Sequence, residues 1–150
     1  MAKPPAITER RLSTLLLVVA LHQRIGRLVD RELAADGVEP SDYALLSIIG
    51  VRAPVRLTEV ATALGMRLTT VSDAVRRLER RGLVMRVRNP DDGRSWLFAL
   101  SEEGDEEWRR GWPALHRIQA ALGRLLDDEA AVRAALLELG DAAEQALTEI

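Results

Sequence analysis

Apolar residues recur at steps of three and four near the start of the chain, which is the period of an amphipathic helix. The stripe contains Leu12, Leu15, Leu16, Val19, Ile25, Leu28 and Val29. We expect one long helix that runs to about Leu33 and ends at Asp36-Gly37. Pro40-Ser41 opens a shorter helix that is almost entirely apolar and should therefore be buried, and a break follows from Gly50 to Pro54.

Two short helices separated by a tight turn are predicted next. Thr58 is a suitable N-cap for a helix that begins after it and stops at Gly65. The second helix should start at Thr69 or Thr70 and close at Gly82. Its apolar stripe comprises Val71, Ala74, Val75 and Leu78. Its polar stripe comprises Ser72, Asp73, Arg76 and Arg80. This arrangement is typical of a helix-turn-helix.

The hydrophobic period changes from 3.6 to 2 after these helices. Two runs, residues 83–88 and 95–100, alternate between large apolar residues and other residues. The alternating apolar positions are Met85, Val87, Trp96, Phe98 and Leu100. The segment between the runs, residues 89–93, is rich in turn residues. A β-hairpin with a polar tip is therefore predicted.

Further helices are predicted after the hairpin. Ser101 caps the first of them, and its acidic first turn complements the positive end of the helix dipole. Pro113 should kink or break this helix near Gly111. The last helix begins at Asp127 or Asp128 and runs to the end of the chain.

The elements together predict a mainly α-helical fold with a small β-hairpin wing. We expect a single domain over residues 1–150, with a winged helix-turn-helix lobe over residues 41–100. The long helices in residues 1–35 and 101–150 carry more apolar surface than so small a lobe can cover. A second copy of the chain would cover it, so we expect a homodimer held by helices from both ends.

Composition narrows the possible chemistry. The chain has 150 residues and 47% hydrophobic content, which is enough for one domain with a core. It has no cysteine and only two, widely separated histidines, so disulfide frameworks, cysteine-rich zinc sites and thiol redox sensing are excluded. We expect no metal and no cofactor. The longest apolar run, Leu15–Leu21, is too short for a bilayer, which takes about twenty residues, so we expect a cytoplasmic protein.

The net charge of −2 conceals a segregation of charge along the chain. Residues 67–100 hold eight basic and four acidic side chains, whereas residues 101–150 hold five and twelve. Such asymmetry is typical of a protein that turns one face toward a polyanion. In a winged helix, the second helix of the pair enters the major groove and the wing reaches the backbone or the minor groove. The candidate DNA-binding residues in these places are Arg67, Thr69, Thr70, Ser72, Arg76, Arg77, Arg80, Arg86, Arg88 and Arg94.

Other interpretations of the same residues stay open at this point. Thr70 and Ser72 could only cap the helix, with the arginines forming a solvated stripe. A winged helix can also be a protein-interaction module without sequence-specific DNA binding, although such a module should lack exposed Thr, Ser and Arg on its second helix. No nucleophile elbow, phosphate loop or metal pair is present, and Asp127-Asp128-Glu129 is better explained as a helix cap. We therefore expect no enzymatic activity.

Three motifs resemble the multiple antibiotic resistance regulator (MarR) family of bacterial winged helix-turn-helix regulators. They are the Leu-Glu-Arg-Arg-Gly-Leu-Val segment at 78–84, Asp92-Gly93-Arg94, and the Leu-Ser-Glu-Glu-Gly segment at 100–104. The long helices at both ends also match in order and size. The resemblance implies a homodimer that binds a pseudo-palindromic operator on double-stranded DNA and usually represses neighbouring genes until a small molecule releases it.

The resemblance also assigns roles to single residues of the wing. In the family's pattern the wing aspartate braces the arginine two residues later, and this role carries to Asp92 and Arg94 because both are present. Asp91 and Gly93 depart from the pattern, which predicts a more flexible tip.

An effector pocket is implied by the same resemblance. Effectors of the family, such as phenolic carboxylates, often lie between the dimer helices and the DNA-binding lobe. The large polar-aromatic groups on the first, second and fifth helices that could line such a pocket are His22, Tyr43, Trp108, Trp112 and His116. A small aromatic acid or another hydrophobic effector is expected there. The alternative is that the tryptophans fill the core and the histidines hydrogen-bond locally or face water.

Overall fold

The computed structural model describes residues 13–149, which form seven helices and one two-stranded antiparallel sheet. The elements are α1 (Thr14–Ala35), α2 (Pro40–Arg52), α3 (Leu57–Leu64), α4 (Leu68–Arg80), β1 (Val84–Arg88), β2 (Trp96–Leu100), α5 (Glu102–Arg110), α6 (Trp112–Leu125) and α7 (Glu129–Glu149). Two compact units are present, one ending at Leu115 and the other beginning at His116. The predicted fold class is confirmed. Leu12 and the rest of residues 1–12 lie outside the described residues.

Helix α1 has the predicted ending. The N–H of Leu16 donates a hydrogen bond to the Oγ of Ser13 at 3.4 Å, which caps the first turn. Gly37, just beyond the helix, has a φ angle of +70°, a conformation that glycine adopts without steric cost. The chain therefore turns at Asp36-Gly37, as the sequence predicts.

Helix α2 begins at Pro40 as expected but runs further than predicted. It continues through Gly50 and ends at Arg52, so the prediction of a break starting at Gly50 was wrong. The reason is tertiary packing: a Cβ at Gly50 would lie 2.6 Å from Cε3 of Trp108. This glycine gives room to a tryptophan ring inside a continuous helix.

Helix α3 starts two residues earlier than predicted. It begins at Leu57, so Thr58 lies inside the first turn and its assignment as N-cap was wrong. The N-cap is Arg56, whose backbone N–H donates to Oε2 of Glu59 at 2.8 Å. That hydrogen bond, which forms half of a capping box, sets where the helix begins.

The turn between α3 and α4 is as short as the sequence predicts. Gly65 ends α3 with a φ angle of +60°, and α4 begins at Leu68, one residue before the predicted start. Gly82, with a φ angle of +75°, lies just beyond α4 and closes it as expected. The helix-turn-helix is therefore present, with three residues in its turn.

The core of the first unit lies between α2, α3, α4 and the hairpin. Its buried apolar residues are Leu45, Leu46, Ile49, Val55, Val60, Ala61, Val71, Ala74, Val75, Leu78, Leu83, Val84 and Phe98. The predicted apolar stripe of α4 lies wholly within this set. Burying such side chains provides about 1.5–3 kcal/mol each, so α4 is held by its inner face while its outer face stays exposed.

The hairpin is tied to the helical core by backbone hydrogen bonds. Its strands pair with Arg86 opposite Phe98 and Arg88 opposite Trp96. The N–H of Val55 donates to the carbonyl oxygen of Phe98 at 3.0 Å, and the N–H of Phe98 donates back at 2.8 Å. The wing is therefore anchored through β2 to the segment between α2 and α3.

Helix α5 is fixed directly under the end of α4. The Oγ of Ser101 accepts a hydrogen bond from the N–H of Gly104 at 3.0 Å and donates one to the carbonyl oxygen of Gly82 at 2.6 Å. The cap predicted at Ser101 is confirmed. A Cβ at Gly104 would run into the carbonyl oxygen of Leu83, so only glycine fits this crossing.

The predicted break near Gly111 is also confirmed, since α5 ends at Arg110 and α6 begins at Trp112. Gly111 lies against the ring of Tyr43, which a Cβ at this position would overlap. In the second unit, the N–H of Ala131 donates to Oδ1 of Asp128 at 2.9 Å and caps α7 as expected.

Large apolar side chains are exposed on the long terminal helices. Those on α1 are Leu15, Leu16, Leu17, Val18, Val19 and Leu21, and those on α7 are Val132, Leu136, Leu137 and Leu147. No residue of α7 is buried in the single chain. Among residues 13–149, no helix is both long enough and apolar enough to cross a membrane.

Candidate nucleic-acid interface

Helix α4 presents a polar outer face whose amino end is open to solvent. Arg67 precedes the helix, and Thr69 and Thr70 are exposed in its first turn. The first backbone N–H groups of a helix point outward and carry a partial positive charge, which favours an anion such as a phosphate. Hydroxyl and guanidinium donors therefore surround a helix end that is already suited to phosphate.

The outer face continues through Arg76 and Arg80, one turn apart and both exposed. Nη1 of Arg76 lies 3.8 Å from Oδ1 of Asp73, and both side chains are well exposed. Asp73 therefore holds Arg76 only weakly. Within residues 13–149, Arg67, Arg80 and Arg94 form no ion pair. These guanidiniums are available to an external partner.

Arg77 points to a different side of α4. Its Nη2 donates to Oδ1 of Asp42 at 3.1 Å, and Nη1 of Arg81 donates to Oδ2 of the same carboxylate at 3.0 Å. Asp42 lies in the first turn of α2 and is buried. Sequence reasoning missed this cluster, although the spacing of Arg77 and Arg81 by four residues indicates that they share one helix face.

Arg86 on the wing is bound to α4. Its Nε and Nη2 donate to the two carboxylate oxygens of Glu79 at 2.6 and 3.1 Å. The hydrogen bonds and the charge of Glu79 raise the pKa of Arg86 above its usual value. Its guanidinium also lies 5.9 Å from the centre of the Phe98 ring. Together with Ser72 and Arg76, these residues line a cleft of about 180 Å³ beside α4.

Arg88 supports the loop of the wing. Its guanidinium stacks over the ring of Trp96 at 4.7 Å, a cation–π contact, and Nη1 donates to the carbonyl oxygen of Gly93 at 3.1 Å. Arg88 therefore joins the two strands and the loop between them.

The wing tip is organised by two side chains that accept main-chain hydrogen bonds. Oδ1 of Asp92 accepts from the backbone N–H of Arg94 at 3.0 Å, so the contact between this pair is made through the main chain, and the Arg94 guanidinium is exposed. Asn89 is buried; its Oδ1 accepts from the N–H of Asp91 at 3.1 Å and its Nδ2 donates to Oγ of Ser95 at 2.8 Å. Sequence reasoning treated Asn89 only as a turn residue.

Comparison with known proteins decides the family. The model of the MarR family matches residues 38–96, the segment that holds the helix-turn-helix and most of the wing. The PcaV transcriptional regulator of Streptomyces coelicolor, solved in complex with its natural ligand, is 31% identical, with a TM-score of 0.73. The match covers 92% of this chain and 99% of PcaV. The chain belongs to the MarR family.

Two further similar proteins agree with this assignment to the MarR family. The HTH-type transcriptional repressor MdtR of Bacillus subtilis is 26% identical over 131 residues, which cover 86% of this chain and 84% of MdtR. The M. tuberculosis regulator MosR, solved in complex with DNA, has a TM-score of 0.77 at 23% identity and covers 90% of this chain and 98% of its own. The latter likeness supports the fold. This MarR-family chain is a DNA-binding transcriptional regulator.

The residues expected to line a MarR effector pocket divide into two groups. Tyr43 is buried and its hydroxyl donates to the carbonyl oxygen of Trp108 at 2.7 Å, while burial raises the pKa of that hydroxyl. Trp108 is itself partly buried against the core. Both side chains pack in or against the core, which for Trp108 is the arrangement expected if the tryptophans fill the core.

The other three expected pocket residues are exposed. Trp112 is 42% exposed and meets the ring of Trp108 edge-on, with centroids 5.2 Å apart. His22 on α1 and His116 on α6 are both exposed. In the part of the chain from Ser13 to Glu149, no cluster of three or more His, Cys, Asp or Glu side chains has a metal-binding arrangement.

Proposed function

We propose that this regulator binds a pseudo-palindromic operator as a homodimer, with α4 as the recognition helix in the major groove and the wing on the flanking backbone or minor groove. The observation that carries the proposal is the division among its arginines. Arg67, Arg80 and Arg94 have no internal carboxylate partner in residues 13–149 and lie on the outer face, the helix end or the wing tip. A surface that leaves these charges unpaired is suited to a polyanion.

The DNA contacts follow from this division. We assign direct contacts to Arg67, Thr69, Thr70, Ser72, Arg76, Arg80 and Arg94. Arg86 binds Glu79, and Arg88 stacks on Trp96 and donates to the carbonyl oxygen of Gly93. These two arginines hold the wing in place. In this assignment the helix selects bases and the wing adds affinity that depends little on sequence.

The homodimer would form through the terminal helices in residues 1–35 and 101–150, and the winged lobe over residues 41–100 would remain free for DNA. The exposed apolar side chains of α1 and α7 support this role, because association would remove them from water. In light scattering at micromolar concentration, we expect twice the chain mass of 16.6 kDa. A mass of 16.6 kDa would contradict the dimer.

The direct test of operator binding is fluorescence anisotropy with DNA from upstream of the chain's own gene, against a shuffled duplex of equal length. Specific sites are typically bound at least about 1,000-fold more tightly than other sequences. Equal affinity for both duplexes would instead favour the alternative, a winged-helix module that binds protein, which the family assignment does not favour. The proposal includes no catalytic activity and places the protein in the bacterial cytoplasm, where its DNA lies.

We also propose that the regulator is a repressor released by a small aromatic acid. The 31% identity to PcaV, which was solved with a natural ligand, supports a ligand-responsive regulator. Among the expected pocket residues, His22, Trp112 and His116 are each exposed to solvent. A coupling of about 1–3 kcal/mol would lower operator affinity roughly 5- to 150-fold.

Fluorescence offers a direct test of release. The three tryptophans are Trp96, Trp108 and Trp112. The Trp96→Phe variant removes the wing signal, so the remaining emission reports on the pair Trp108 and Trp112. We expect saturable quenching by the effective acid. Operator should weaken the binding of the acid by the same factor by which the acid weakens the binding of operator, because coupling is reciprocal. An affinity for the acid that is the same with and without operator would contradict release by that acid.

A further inference from the structure

The buried carboxylate of Asp42 is held by Arg77 of α4 and by Arg81, the residue that follows α4. Its side chain is only 6% exposed, whereas those of Arg77 and Arg81 are 51% and 42% exposed. Each carboxylate oxygen accepts one guanidinium N–H, at 3.1 and 3.0 Å. One acidic group thus occupies two guanidiniums at once.

The geometry of this cluster constrains α4. Arg77 and Arg81 are one helical turn apart, so bonds from both to a single carboxylate resist sliding and rolling of α4 on α2. A buried carboxylate is costly without partners, and two charge-assisted hydrogen bonds satisfy it. Because both arginines remain half exposed, they could reach another anion if Asp42 lost its charge.

We propose that Asp42 is a positioning residue for DNA recognition that withholds Arg77 and Arg81 from DNA phosphates. Asp42 fixes the direction of α4. It also prevents Arg77 and Arg81 from contacting phosphates, which lowers the affinity for DNA of any sequence. The ratio of operator to non-specific affinity therefore rises. This inference rests on the proposed function, since it requires that α4 meets DNA.

Salt dependence of DNA binding tests the proposal, because each phosphate contact by an arginine contributes about 0.9 to the slope of log affinity against log salt concentration. The Asp42→Asn variant keeps the size of the side chain and removes its charge. Glu39→Gln, at an exposed position outside both the terminal helices and the winged lobe, makes the same change of net charge. Anisotropy titrations of parent and variants with operator and shuffled duplexes, over a series of salt concentrations, give the slopes.

We expect Asp42→Asn to steepen the slope by about one to two units, to bind the shuffled duplex several-fold more tightly and to lower the operator-to-shuffled ratio. Glu39→Gln should keep the parent slope. Adding Arg77→Gln and Arg81→Gln to Asp42→Asn should restore the parent slope, which a general loosening of the fold would not do. Equal slopes for Asp42→Asn and the parent would overturn the proposal.

A second pair of variants keeps the test decisive if Asp42→Asn does not fold. Arg77→Gln and Arg81→Gln, each made separately in the parent protein, should leave the salt slope unchanged because neither arginine contacts a phosphate. A slope flattened by about one unit in either variant would overturn the proposal. A parent protein that binds neither duplex would contradict the proposed function, and with it this inference, so the two failures are distinguishable.

Discussion

Glu79 on the recognition helix and Arg86 on the first wing strand form a two-point contact, with Nε and Nη2 of the arginine donating to both carboxylate oxygens. The six residues between them include the end of α4, the glycine turn and the start of β1. The contact therefore joins the two parts of the module that would meet DNA. Helix and wing should approach the duplex as one body.

This contact should be measurable as a coupling energy. Glu79→Gln, Arg86→Gln and the double variant form a cycle, and urea unfolding gives the free energy of each. Because both side chains are partly exposed to water, which screens the pair, we expect a coupling of only about 0.5–1 kcal/mol. Effects of the two single changes that simply add would contradict a direct interaction.

Gly104 should tolerate no side chain. Gly104→Ala places a Cβ against the carbonyl oxygen of Leu83, a backbone atom that cannot rotate away, so we expect a loss of at least about 2 kcal/mol in the free energy of unfolding. Gly140→Ala is the control, because nothing lies within 4 Å of its added Cβ in the single chain.

The control variant should gain about 0.5–1 kcal/mol from the better helix propensity of alanine. Both variants are compared with the parent by urea unfolding at one protein concentration, since stability of a dimer depends on concentration. Equal stability of Gly104→Ala and the parent would contradict the close crossing of α5 over Leu83.

Tyr43 should ionise late and reduce stability when it does. Burial raises its pKa above the ordinary value of 10.0, so at higher pH the folded state keeps a proton that the unfolded state loses. The stabilisation is therefore present below about pH 10 and is lost as pH rises through the folded pKa. Tyr43 is the only tyrosine, so tyrosinate absorbance follows this one group.

The matched variant is Tyr43→Phe, which loses the hydrogen bond to the Trp108 carbonyl and about 1 kcal/mol at neutral pH. Its stability should not show the decline that begins near pH 10 in the parent. A parent absorbance midpoint at or below the ordinary tyrosine value would contradict burial of this hydroxyl.

The order of elements could be predicted because each rests on local periodicity and on Gly and Pro at the ends. The inner face of α4 and the break near Gly111 follow from such signals. The wrong boundaries are those that tertiary contacts set. Gly50 lies within α2 because a distant tryptophan ring needs the space, and Thr58 loses the cap to Arg56 because Glu59 binds that backbone N–H.

The division of labour among the arginines could not be predicted. Counting charges locates a basic segment, but a partner such as Asp42, 35 residues before Arg77, becomes a neighbour only when α2 packs on α4. Likewise, the Asp-x-Arg motif indicates that Asp92 and Arg94 interact. It does not indicate that the Asp92 carboxylate accepts from the backbone N–H of Arg94 and not from its guanidinium. Sequence shows which groups are present, and packing determines which remain available.

Arg94 should contribute affinity for all DNA sequences. Arg94→Ala should weaken binding to operator and shuffled duplexes alike and flatten the salt slope by about one unit. Arg109→Ala is the charge control, because Arg109 lies on α5 and is paired with Asp105 at 2.9 Å. Unchanged binding by Arg94→Ala at every salt concentration would show that the wing tip does not contact DNA.

Arg76→Ala offers a contrast on the recognition helix. It should relax specificity at one base pair by about 1–3 kcal/mol, as measured with operators substituted one pair at a time. Uniform weakening across all substituted operators would assign Arg76 to the phosphate backbone.

We propose that a dimer places two copies of α4 in successive major grooves on one face of the duplex. Hydroxyl-radical footprinting of the purified protein on its own upstream DNA tests it most directly. We expect two symmetric protected segments whose centres are about 10 base pairs, or one helical turn, apart. A single protected segment, or protection without a fixed position along the DNA, would contradict it.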